Sequence, residues 1–261
     1  MTADLDLLKD AAAEAGALAL DYRRKGLKIY SKVGGSPVTD ADMAVDDLLK
    51  RRLREVRPDY GWLSEETADG PERLTTPRQF VVDPIDGTVA FMKNKPWWTV
   101  ALAVVEDGVA TAAVVHAPTL NETFSAARGG GAFLNGEPIQ ASDTTSLDDA
   151  AMLADAALFD RSKWADPWPV MRFDKRNSIA YRMALVGAGA FDAAMALSPK
   201  WDWDVCAGEL IAEEAGARCT DHRGRPYRFN KPDPRQPSLV CAAPALHPLI
   251  LRRCAPISLP D

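Results

Sequence analysis

Apolar positions recur at helical spacing from about residue 4 to 25, where Leu8, Ala11, Ala12, Ala15, Leu18 and Ala19 share one face and Gly26 ends the helix. The stretch from Tyr30 to Thr39, with Gly34-Gly35-Ser36-Pro37, reads as a loop. A second amphipathic helix follows from about Ala41 to Val56. Gly61 to Ser64 is a short strand, and residues 67–79, carrying Gly70, Pro71 and Pro77, read as a mobile connection. Phe80-Val81-Val82 is a buried strand that Pro84 is expected to end. Trp98 to Glu106, Val109 to His116 and Glu122 to Ala126 are parted by Asp107-Gly108 and Pro118, which predicts antiparallel hairpins. Beyond a polar stretch at 141–147, strands (Ala151 to Ala154, Phe191 to Leu197, Ser238 to Ala242) alternate with helices. The helices are Ser178 to Val186, Asp204 to Ala215 and Leu246 to Arg253. That alternation predicts an α/β half at 146–261 after an α+β half at 1–145. The Pro-rich segment from Pro226 to Pro237 reads as a surface loop.

The charge balance narrows the partners. A net charge of −6 argues against a nucleic-acid polymer, which needs a basic footprint. A small anionic substrate stays open, because a bound cation reverses the local field. No apolar run reaches the length of a membrane span, and the acidic start lacks a signal-peptide pattern. The four cysteines form no C-x-x-C pair, so reduced thiols and a cytoplasmic setting are expected.

Candidate chemistry centres on Asp83-Pro84-Ile85-Asp86-Gly87-Thr88, directly after the buried strand. Two carboxylates three residues apart repel unless a cation or a proton lies between them. Gly87 lets a ligand approach the backbone. Taken singly, the other acids have ordinary explanations. Asp42 suits a first-turn dipole or capping residue, Glu65-Glu66 a solvated edge, and Asp204 the N-cap of the helix it opens. Arg128-Gly129-Gly130-Gly131 tempts as a phosphate loop, but no G-K-[ST] ending or helix follows. It reads as a tight turn between strands.

Four stretches in order resemble the inositol monophosphatase superfamily of metal-dependent phosphomonoesterases: Ser36-Pro37-Val38-Thr39-x-x-Asp42, Ser64-Glu65-Glu66, Asp83-Pro84-Ile85-Asp86-Gly87-Thr88 and Trp203-Asp204-x-x-Ala207-Gly208. The resemblance implies a layered αβαβα sandwich with metal at the seam between the halves. It makes Glu65, Asp83 and the Ile85 carbonyl ligands of one Mg²⁺, and Asp83, Asp86 and Asp204 ligands of a second, with a third, weaker ion near Glu65. Thr88, bonded to Asp42, would orient and help deprotonate the attacking water, and the Gly87 and Thr88 N–H groups would receive the phosphate. Lithium inhibition, and either a monomer or a homodimer, fit the resemblance. With every expected ligand present, a non-catalytic relative is disfavoured, and no Walker-type loop supports a kinase.

Details point toward bacterial CysQ-type 3'(2'),5'-bisphosphate nucleotidases: Lys32, Ser64 before the glutamates, and Phe91-Met92-Lys93 after the D-G-T. Inositol enzymes place an acid about seven residues before the second metal-binding Asp, where this chain has Leu197. Asn177-Ser178 matches neither group cleanly. Arg172, Lys175 and Arg176 could meet a second phosphate or form a solvated basic patch. The expected substrate is 3'-phosphoadenosine 5'-phosphate, with inositol 1-phosphate, histidinol phosphate and fructose bisphosphate as alternatives.

Overall fold

The computed structural model describes residues 3–32, 35–160, 164 and 166–259. The helices are α1 (Ala3–Lys25), α2 (Asp40–Val56), α3 (Thr88–Met92), α4 (Ile179–Gly187), α5 (Asp202–Glu214) and α6 (His247–Cys254). A two-stranded hairpin pairs β1 (Ile29–Ser31) with β2 (Pro37–Thr39), so the stretch read as a loop is partly strand. The large sheet runs, in spatial and chain order, through β3 (Gly61–Ser64), β4 (Arg78–Asp86), β5 (Thr99–Glu106), β6 (Val109–Ala117), β7 (Glu122–Ala127), β8 (Ala132–Leu134) and β9 (Glu137–Pro138). Only its β3–β4 pair is parallel. The glycine run falls in the turn between β7 and β8, as expected.

A second, mixed sheet contains β10 (Ala151–Leu153), β11 (Arg172–Asp174), β12 (Ala193–Ala196), β14 (Arg218–Thr220) and β16 (Leu239–Ala242), in the order β11-β10-β12-β16-β14. Between them in sequence, β13 (Lys200–Trp201) pairs with β15 (Arg235–Gln236). Alternating side chains assign the layers. Along β5, Val100, Leu102 and Val104 join the apolar cluster under α1 and α2, whereas Ala101, Ala103 and Val105 join the one containing α4 and α5. Along β16, Leu239 and Cys241 face α4 and α5, and Val240 and Ala242 face the layer of α6. The result is the expected αβαβα order, with α4 and α5 packed between two sheets. Burial on both faces is why these strands read as continuous apolar runs. The four cysteines are free and buried. Among the described residues, no helix is long and apolar enough to cross a membrane.

Three local expectations are corrected. Residues 67–79 are not a loose connection: Pro71–Thr75 forms a 3₁₀ turn, β4 begins at Arg78, and the Arg73 side chain is 2% exposed. Pro84 does not end its strand, because β4 continues to Asp86 through a shift in register between Asp83 and Asp86. A bulge is where a strand tolerates a residue without an N–H. The helix carrying Asp204 begins at Asp202, so Asp204 is not its N-cap.

Candidate active site

The β4 bulge sets the first two acids. It lets Asp83 and Asp86, three apart, leave the strand on the same side instead of alternating. Asp83 is 1% exposed and its Oδ1 accepts the Ile85 N–H at 3.1 Å. Gly87 then turns the chain at φ +95 into α3, and a Cβ there would lie 3.1 Å from the Ser178 nitrogen. Only glycine suits both the left-handed backbone and that approach. Thr88, the first residue of α3, donates from Oγ1 toward Asp42 Oδ1 and the Ile85 carbonyl, each at 3.2 Å.

Asp42 is fixed by a capping box at the start of α2. Its Oδ2 accepts the Thr39 N–H at 2.9 Å and the Thr39 hydroxyl at 2.5 Å. The ordinary explanation of Asp42 as a cap is correct, and its other oxygen nevertheless reaches Thr88.

Asp204 arrives from the far half, in the third position of α5, where Oδ2 accepts the Trp201 N–H at 2.8 Å. One carboxylate oxygen each from Asp83, Asp86 and Asp204 lies within 4.8 Å of the others. Glu65 lies outside that trio: its Oε1, with Glu66 Oε1, takes the Lys32 ammonium at 2.7 Å.

Asp86 is oriented by a residue that the sequence offered only as an unmatched substrate wall. Ser178, the N-cap of α4, donates from Oγ to Asp86 Oδ2 at 2.6 Å, and the Ala180 N–H reaches the same oxygen at 2.8 Å. A serine before a helix was the visible signal; its distant partner was not.

The electrostatics are those of an acid cluster in which burial outweighs the partial compensation from Lys200 and Arg182. Burial, then repulsion from Glu65, Asp86 and Asp204, pushes Asp83 well above the usual carboxylate range. Burial raises Asp86 to about 6 against the pull of its Ser178 and Ala180 bonds. Burial and then Asp86 raise Asp204 to about 7. Burial raises Asp42 against its Thr39 bonds, and raises Glu66 to about 7 despite Lys32. Converging hard oxygen donors whose ionisation is so disfavoured suit a small divalent cation of the Mg²⁺ type.

Asp86 and Asp204 line a cavity of about 500 Å³. Lys175, Arg182 and Lys200 also line it, with Asp155, Asn177 and Leu197. Lys175 pairs with Asp155 at 2.8 Å, and Arg182 donates to the Arg176 carbonyl. Of the three basic residues singled out in sequence, only Lys175 lines this cavity. Arg172 binds the Asp149 carbonyl, and Arg176 pairs with Asp174 and lies over the Trp97 ring. Arg182, Lys200 and Asp155 escaped notice because no local pattern marks them.

A fold of five layers with a buried carboxylate cluster beside a polar cavity is that of a metal-dependent phosphatase. The model of the inositol monophosphatase family matches residues 3–258. A histidinol-phosphatase of Chlorobaculum parvum is 35% identical over 238 residues, covering 86% of this chain and 88% of the relative. One of Mycobacterium tuberculosis is 37% identical over 210 residues, covering 76% and 79%. The solved IMPase of Thermotoga maritima superposes with a TM-score of 0.85 at 27% identity, covering 98% of each chain. The chain belongs to the inositol monophosphatase family. It is a phosphoric monoester hydrolase, in a family whose members typically use Mg²⁺.

Proposed function

We propose that this enzyme hydrolyses a small phosphorylated metabolite carrying a second anionic group, 3'-phosphoadenosine 5'-phosphate being the compound that fits best. In this reading residues 1–145 supply Glu65, Asp83, the Ile85 carbonyl and Asp86, and residues 146–261 supply Asp204 and the cavity wall. Glu65, Asp83 and the Ile85 carbonyl would hold one Mg²⁺, Asp83, Asp86 and Asp204 would hold another, and Glu65, whose Oε1 takes the Lys32 ammonium, would also serve a third, weaker ion. Mg²⁺ held there would supply charge neutralisation for the phosphoryl group and a more acidic water. The Gly87 and Thr88 N–H groups receive phosphate oxygens. Thr88 Oγ1 accepts a hydrogen bond from the attacking water while donating to Asp42, and Asp42 takes the proton. Burial raises the basicity of Asp42 and suits it to that role. Water's oxygen bonds to phosphorus as the ester P–O bond breaks; the leaving oxygen takes a proton from solvent water to become the alcohol, and Asp42 returns its proton to solvent as phosphate departs.

The observation that carries the substrate assignment is the cavity wall. Once cations balance Asp86 and Asp204, Lys175, Arg182 and Lys200 are opposed there only by Asp155. A wall of that sign favours a leaving group bearing phosphate. Leu197 offers an inositol hydroxyl no hydrogen bond. A second reading, histidinol phosphate, is favoured by the names of the two relatives and by Asp155, whose carboxylate could take a cationic amine. The test is kcat/KM with Mg²⁺ for 3'-phosphoadenosine 5'-phosphate, histidinol phosphate, fructose 1,6-bisphosphate and inositol 1-phosphate on one preparation. The nucleotide should lead. A lead for histidinol phosphate replaces it by the second reading, and a lead for inositol 1-phosphate refutes the argument from the wall.

A further inference from the structure

Two segments that carry acids of the site, the residue after β3 (Glu65) and the start of α5 with Asp204, are joined by a polar chain that runs from the exposed Asp69 through the buried Arg73 to the buried Asp202. Arg73 is its hub. The guanidinium forks onto Asp69, with Nε to Oδ1 at 2.6 Å and Nη2 to Oδ2 at 2.8 Å. Nη1 donates to Asn230 Oδ1 at 2.8 Å and Nη2 to the Lys231 carbonyl at 2.9 Å. Asn230 sits at φ 58, a left-handed conformation that asparagine accepts more readily than most residues, and its N–H reaches Asp202 Oδ2 at 3.1 Å. Asp202 Oδ1 takes Gln236 Nε2 at 2.7 Å, and the Asp202 N–H donates to the Pro234 carbonyl at 2.8 Å. Asp202 is fully buried and lies two residues before Asp204.

At its other end, the chain begins four residues after Glu65. Ser64 and Thr67, which bracket Glu65, both donate to Asp46 at 2.5 Å. The loop between Thr67 and Asp69 is therefore pinned at both ends, at Asp46 on α2 and at Arg73. None of these residues lines the cavity itself, although Gln236 pairs along β15 with Lys200, which does. A planar fork with fixed donors suits such a joint, because its bonds share one rigid plane.

We propose that Arg73 is a positioning residue that holds the Glu65 segment and the Asp204 end of α5 at a set separation through the Asp69–Arg73–Asn230–Asp202 chain. The inference rests on the reading of Glu65 and Asp204 as metal ligands. The ligands come from opposite halves of the molecule, and small errors in their spacing degrade coordination by a cation that demands near-ideal geometry. Residues that orient metal ligands without touching the metal typically change affinity by about 10–100-fold when replaced.

Mn²⁺ binding to the substrate-free full chain, followed by the paramagnetic resonance of the free ion, gives a readout independent of turnover. Arg73→Lys keeps a positive charge beside Asp69 but cannot serve Asn230 and the Lys231 carbonyl together. Asn230→Gly keeps the left-handed backbone and the N–H to Asp202 while removing the side-chain oxygen. Both should weaken Mn²⁺ binding by about 10–100-fold, and raise the Mg²⁺ needed for half-maximal turnover in parallel. Leu246→Ala, in the apolar layer under α6, serves as a variant of lowered melting temperature whose Mn²⁺ affinity should match wild type. Arg73→Lys and Asn230→Gly variants that melt lower yet bind Mn²⁺ as tightly as wild type overturn the proposal and leave Arg73 a purely structural residue. Asp83→Asn separates the two failures. If it too binds Mn²⁺ normally, the metal-site reading itself is wrong; if it loses binding while the Arg73 and Asn230 variants do not, only the positioning role of Arg73 is.

Discussion

Replacing Asp83 by asparagine should change the sign of its effect on stability with the metal. The side chain is 1% exposed, and one of its oxygens accepts the Ile85 N–H, which an amide oxygen can also do. With oxygens no more than 4.8 Å apart, each ionised pair in the trio repels by at least about 3.5 kcal/mol at an effective dielectric of ~20. The metal-free protein escapes part of that by binding protons, and the proton uptake bounds the gain. Burial lifts Asp86 to about 6, so keeping it ionised at neutral pH costs about 3 kcal/mol relative to the unfolded chain. Asp83 itself is pushed well above the usual carboxylate range by burial and then by Glu65, Asp86 and Asp204, and an amide there carries neither the buried charge nor the repulsion. The gain is on the order of 2 kcal/mol, between the values for a like-charge pair in water and near a protein surface.

For a chain of this size that is a rise in melting temperature of roughly 4–8 °C in excess EDTA. Saturating Mg²⁺ should reverse the order. A ligand at 100 times its Kd stabilises the wild type by about 2.7 kcal/mol, and the variant gains little of that. Turnover should vanish in the variant at any Mg²⁺ concentration. Thermal melts of both proteins with EDTA and with Mg²⁺ decide the matter. A variant that melts below wild type in EDTA, or that gains as much from Mg²⁺ as wild type does, would refute the charge-repulsion account.

Two further outcomes follow from the site. Thr88→Ala should reduce kcat by roughly 10²–10⁴-fold with little change in melting temperature, since Oγ1 is only half-buried and its loss leaves α3 intact; a large melting shift with unchanged kcat would make Thr88 merely a cap of the turn. Asp83, Asp86 and Asp204 all have folded pKa values above their unfolded ones, so the folded metal-free protein binds extra protons between about pH 4 and 7. Stability in EDTA should therefore fall as pH rises through that window. Raised acids away from the trio, such as Glu209 at about 8, contribute equally with and without metal, so the EDTA and Mg²⁺ stability curves should diverge as pH rises; parallel curves from pH 5 to 7.5 would count against the assignment.

What was legible in the sequence was whatever is encoded locally. The two helices before residue 57, the hairpins from Thr99 to Ala127 and the D-P-I-D-G-T stretch all carry their own periodicity or turn chemistry. Asp42 was ambiguous because one carboxylate serves two purposes, capping α2 through Oδ2 and meeting Thr88 through Oδ1. Arg73 was invisible for a different reason. Gly70, Pro71 and Pro77 around it signal a loop, and beyond the local Asp69 its partners Asn230 and Lys231 lie 157 and 158 residues away, where no short window can see them. The same holds for Ser178 and Asp86, 92 residues apart. Polar contacts between halves are set by packing of the layers, which periodicity predicts only as a class.

Trp201-Asp202-Trp203-Asp204 shows how that limit operates at the site itself. The sequence presents two near-identical Trp-Asp pairs and suggests a cap. In a helix, two residues apart means about 200° of rotation, so acids at the first and third positions of α5 leave it on nearly opposite sides. Asp202 goes to the buried Asn230 and Gln236, and Asp204 goes to Asp83 and Asp86. Trp201 and Trp203 stack at 4.8 Å and 9° beside them, so the helix start is braced on its outer side as well. One acid thus anchors the helix end to the loop after β14 while the other is delivered to the cluster. Moving either carboxylate by a single position would rotate it about 100° away from its partners. The spacing of two is therefore a requirement of the site, and the identity of the two residues alone does not reveal which of them faces the substrate.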